Sequence, residues 1–139
     1  MAAYTVNLLA VIVATAIGFG IGFAWYSRLL FGKQFMKLLG KGHGDFQGTM
    51  KKQGSTPYLM AIAVSFLLTF VLAVFISFSG ARTAAGGAMI GIAAAIGFIA
   101  TSSYSTVLWE KRPVGLWVLH TIYMIISMAV MGAILAVWV

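Results

Sequence analysis

Residues 113–139 read PVGLWVLHTIYMIISMAVMGAILAVWV, 27 positions without one Asp, Glu, Lys or Arg. Spanning a hydrocarbon core takes roughly 20 predominantly apolar residues, so this stretch crosses a bilayer once and is too short to cross twice. Three more uncharged stretches fall in the same length class: Met1–Ser27, Gln53–Ala81 and Thr83–Trp109, of 27, 29 and 27 residues. The pattern predicts an all-α integral membrane four-helix bundle, one transmembrane domain over 1–139, with spans over 4–27, 57–79, 84–109 and 115–138.

Composition points the same way. The 139 residues are 62% hydrophobic and 8% charged, with mean hydropathy +1.03. Soluble domains carry about 25% charged residues, so this chain argues against a water-soluble enzyme or nucleic-acid domain. The absence of cysteine removes disulfides, thiolate metal sites and dithiol exchange. The first segment lacks a basic start and is longer than a signal-peptide core, so it is expected to remain as the first span.

The formal net charge of +7 resembles a nucleic-acid signature until the charges are placed. Arg28, Lys33, Lys37, Lys41, Lys51 and Lys52 lie between the first two spans, and Lys111 and Arg112 between the last two. Only Arg82 lies between the second and third. Short basic loops stay in the cytoplasm, which predicts an N-out, C-out topology. Basicity then reports orientation and anionic lipid, with no nucleic acid as partner.

After the first span the period changes. At 100° per residue Lys33, Gln34, Lys37 and Lys41 share one face, opposite Phe31, Phe35, Met36, Leu38 and Leu39. This predicts an interfacial amphipathic helix over 28–41, with Arg28, Lys33, Lys37 and Lys41 toward anionic headgroups. Residues 42–56 are glycine-rich and predict a flexible cytoplasmic loop.

An ionisable residue inside a membrane is a functional hypothesis by default, and His120 is the clear case. Tyr123 and Ser127 follow it at i+3 and i+7 on the fourth span, Thr101 and Tyr104 share a face of the third, and Ser65 and Thr69 share one of the second. Together they form a candidate polar seam. It reads either as interhelical hydrogen-bond glue, at ~0.6 kcal/mol per bond, or as the lining of a solute path. The buried carboxylates that drive many transporters and acid–base enzymes are missing from the spans, so no catalytic residue is assigned. Met124, Met128 and Met131 align on one face but read as packing, so neither a metal nor a cofactor is expected.

Small residues carry more information. Gly18 and Gly22 on the first span, Gly87, Gly91 and Gly97 on the third, and Gly132 on the fourth recur at helical spacing. They let backbones approach closely where no hydrophobic effect drives association. Some must pack the bundle, and their number predicts a homo-oligomer as well.

The motifs Trp25-Tyr-Ser-x-x-Leu-Phe-Gly-Lys-x-x-Met-Lys-Leu-x-Gly40 and Met131-Gly-Ala-Ile-Leu-x-x-Trp138 resemble an uncharacterised family of small bacterial membrane proteins, a domain of unknown function. Arg28 stands where that family frequently has proline. The resemblance implies four helices and a bacterial inner-membrane setting, and brings no activity with it. Two function classes fit these residues: an oligomeric carrier or channel for a small solute, or a structural or accessory subunit packing through its glycine faces. A continuous cavity along the seam favours the first, and a closed, dry seam the second.

Overall fold

The computed structural model describes residues 6–25 and 56–138, and no strand occurs among them. The interfacial helix expected over 28–41, with its four cations, and the loop expected from residue 42 onward lie outside the described residues, apart from Thr56, which opens a helix. Four helices form: α1 (Leu8–Trp25), α2 (Thr56–Ser79), α3 (Ala84–Leu108) and α4 (Val114–Val137). Each contains a stretch long and apolar enough to cross a membrane. The fold is all-α and suits a multi-pass membrane protein.

Local chemistry sets the helix ends. The Asn7 side-chain oxygen accepts from the backbone N–H groups of Leu9 and Ala10 at 3.0 and 3.3 Å, capping α1. Thr83 caps α3 in the same way, its hydroxyl accepting from the Gly86 N–H at 3.0 Å. Between α2 and α3 the chain reverses at Gly80, whose φ of 74° lies in the region open to glycine without penalty. Lys111, at φ 54°, makes the second reversal, where Arg112 pairs with Glu110 at 3.1 Å.

The hub is α4, which packs against each of the other three helices. Its Met124, Met128, Met131 and Leu135 meet Ala10, Val11 and Ala14 of α1 and Leu72, Ala73 and Ile76 of α2 in one core cluster. Flexible thioethers fill the irregular gaps between these small side chains. The closest approach is between α4 and α3. A Cβ on Gly87 would collide with the Gly132 carbonyl, one on Gly132 with the Gly87 carbonyl, and one on Gly91 with the Met128 carbonyl. The two backbones touch, which maximises dispersion contact between helices that lipid does not push together.

One feature departs from the uninterrupted third helix that the sequence predicts. Regular α-helix covers Ala84–Ala94, a π-helical turn follows over Ala95–Ala100, and two short α-helical pieces, Thr101–Ser103 and Ser105–Leu108, complete α3. The cause lies in the next six residues, Thr101-Ser-Ser-Tyr-Ser-Thr106, five of which are Ser or Thr whose hydroxyls bond carbonyls of α3. Such side chains offer the backbone alternative partners and so loosen the regular ladder.

Candidate functional site

Tyr123 and Ser127 of α4 face Gly18 of α1, and Met131 of α4 meets Thr69 of α2. Thr69 and Ser127 are among the most deeply buried side chains, at 0% and 2% exposure, although both are polar. The Thr69 hydroxyl donates to the Ser65 carbonyl at 2.8 Å and lies 3.5 Å from the Met131 sulfur. Half-buried Tyr123 donates to the Gly18 carbonyl at 3.3 Å and also hydrogen-bonds the Ser127 side chain. Two glycines make the room for this: a Cβ on Gly18 would sit 2.6 Å from the Met131 sulfur and 3.2 Å from the Ser127 oxygen, and one on Gly22 would sit 2.6 Å from the Tyr123 oxygen. His120 borders the group, its ring 6.1 Å from that of Tyr123.

The structure thus brings Thr69, Tyr123 and Ser127 into one knot between α1, α2 and α4, with His120 beside Tyr123, while Ser65 enters it only through its backbone carbonyl. Thr101 and Tyr104 are placed elsewhere. The Thr101 hydroxyl turns back to the Gly97 carbonyl at 2.6 Å, and the Tyr104 ring stands edge-on to Trp117 at 5.0 Å, both residues being exposed. A uniform 100° per residue sets both opposite His120, but the π turn adds a residue and rotates everything after Ala100 by about 100°. Gly97 differs from the other five glycines as well. It is exposed, and a Cβ there would meet nothing within 4 Å among the described residues.

The second half of α3 forms a surface that counting seam residues missed. Thr101, Ser102 and Ser103 bond the carbonyls of Gly97, Phe98 and Ala100, and Ser105 and Thr106 bond those of Ser102 and Ser103. Across the bundle the Trp117 indole N–H donates to the Ala100 carbonyl at 3.0 Å and pins the end of the π turn to α4. Ala93, Gly97, Thr101 and Ser105 all face outward. The unbroken run of six hydroxyls was the signal that could have revealed this surface.

An apolar cavity of about 280 Å³, bounded by Leu68, Phe75, Ala94, Phe98 and Met128, separates α2 from α3, and none of the seam residues lines it. A much smaller one of about 20 Å³ lies at the opposite end, near Asn7, Arg82 and Trp138. No group of three or more His, Cys, Asp or Glu suited to a metal occurs among the described residues, and the three aligned methionines are buried in the core.

No curated protein and no solved structure matches the sequence. A family model described as "Protein of unknown function (DUF1761)" matches residues 9–136, nearly the whole chain from α1 to the end of α4, and the chain belongs to that family.

Proposed function

We propose that this protein is a structural or accessory membrane subunit that packs through the second half of α3 against a second copy of itself or a larger membrane complex. The observation that carries this reading is the exposed surface of Ala93, Gly97, Thr101 and Ser105 within an apolar span. Small and hydroxyl-bearing residues are what helix interfaces in membranes are made of. Among the described residues nothing covers this surface, and only 22–39% of each span's most apolar window is buried inside the bundle. Glue is the role that the bonding of the knot supports for Thr69, Tyr123 and Ser127, since their hydroxyls are engaged by carbonyls, side chains or sulfur.

The proposed setting is a bacterial inner membrane, with residues 26–55 and the Glu110–Arg112 turn on the cytoplasmic side. The eight-to-one division of Lys and Arg between the two sides supports that orientation. The direct test is the mass of the protein in nanodiscs. Wild type is expected above the 14.8 kDa of one chain, and Gly97→Leu at one chain. A wild-type protein that remains a single chain at every loading, in native lipid extract, defeats the self-association reading.

A further inference from the structure

The residues of α3 can follow the first half of the helix in two registers. Gly91 sets the reference, because its backbone meets α4 at the Met128 carbonyl. Regular α-helix continued from there would bring Phe98, Ser102 and Ser105 to within about 40° of the face that meets α4. Ala100 would fall about 180° away, on the outer side. The structure shows the reverse. Phe98, Ser102 and Ser105 are exposed, and Ala100 is buried. The π turn over Ala95–Ala100 makes the exchange by taking up one extra residue.

One bond from α4 depends on that exchange. The Trp117 indole N–H reaches the Ala100 carbonyl at 3.0 Å, which it can do only while Ala100 lies on the α4 side. Two features pull the other way. A continuous α-helix would restore regular bonding through the π turn. It would also fill a void, for the apolar cavity of about 280 Å³ is bounded by Ala94, Met128 and Phe98 itself. The Phe98 side chain is 64% exposed, with its ring 6.1 Å from that of Phe75. Turning it toward α4 carries the ring into the cavity, where it regains the dispersion contacts that an unfilled space forfeits. The room suffices, since an apolar cavity of ~150 Å³ holds a benzene ring.

We propose that α3 is a two-register helix and that Trp117 is its latch. With the indole bond made, the π turn holds Ser102 and Ser105 outward. With the bond released, α3 becomes continuous, both serines turn toward α4 and Phe98 enters the cavity. The change belongs to a single chain and does not rest on the partner proposed for the outer surface. Its consequence is that the same chain can present that surface or withdraw it.

The test places a fluorinated phenylalanine at position 98 alone, in the full-length protein, and reads fluorine NMR in nanodiscs. A nitroxide on the lipid chains broadens the signal of a lipid-facing ring and spares that of a ring in the cavity. Wild type is expected to show a mainly broadened signal with a minor protected fraction. The ratio of protected to broadened signal should rise about five-fold in Trp117→Phe and Trp117→Leu, which both lack the donor, the weight of one interhelical hydrogen bond. Ala94→Leu fills the cavity and should remove the protected fraction. The proposal fails if that ratio is unchanged in whichever Trp117 variant folds, or if protection survives in folded Ala94→Leu. It also fails if protection grows with the number of chains per disc, which would assign it to a neighbouring copy. Failure on the first two counts leaves self-association through Thr101 standing, because that contact needs only the outward register.

Discussion

The two halves of α3 solve opposite problems with the same small residues. In the first half Gly87 and Gly91 are buried, and their missing side chains let α4 come to backbone contact. In the second half Gly97 is exposed in a π turn, and the hydroxyls that follow bond their own helix. One half is finished within the chain and the other is left open. A glycine at helical spacing therefore has no fixed meaning, and what it faces decides whether it packs the bundle or presents a surface.

The same substitution at the two ends gives the largest expected contrast. Gly91→Leu drives a side chain into the Met128 carbonyl and is expected to cost at least the upper end of the ~1–3 kcal/mol of overpacking. Gly97→Leu meets open space and should change monomer stability by less than about 0.5 kcal/mol. Thermal unfolding in detergent separates the two, and equal losses would erase the distinction between the halves. Next in size is Trp117→Phe, which removes the indole donor to Ala100 at the end of the π turn. A loss of about 1 kcal/mol is expected, seen as faster hydrogen exchange over 101–108 with 84–94 unchanged.

Smaller effects test the buried knot. Tyr123→Phe and Thr69→Val each delete a hydroxyl that donates to a carbonyl, and should cost ~0.6 kcal/mol apiece. The two should couple when combined, because Met131 and Gly18 link their surroundings. The smallest effect carries the opposite sign. Among the described residues the Thr121 oxygen is buried without a hydrogen-bond partner, so Thr121→Val should be neutral or stabilising by less than about 0.5 kcal/mol in the same melts.

Much of the fold is legible in the sequence. Four uncharged stretches specify four spans because backbone in lipid must satisfy itself, and length and composition report that need directly. The α3–α4 crossing could be anticipated from Gly87, Gly91 and Gly132, although spacing alone did not say that Gly97 would be left outside. The seam was half legible. Tyr123 and Ser127 sit on one face of a regular helix, so the 100° rule placed them correctly relative to each other. For Thr101 and Tyr104 the rule failed, because one extra residue in the π turn shifts every later side chain around the axis.

The central claim is that the outer surface of α3 at Gly97, Thr101 and Ser105 packs against a second copy of the chain. The chain has no cysteine, so Thr101→Cys and, on a lipid-facing turn of α2, Val64→Cys each introduce a unique thiol. Both positions are exposed. Oxidative crosslinking in native membranes is the most direct measurement. The account predicts that Thr101→Cys yields a covalent product at twice the mass of one chain, lost on adding Gly97→Leu, while Val64→Cys stays a single chain. A Thr101→Cys protein that remains a single chain under conditions that crosslink a known membrane dimer would contradict it.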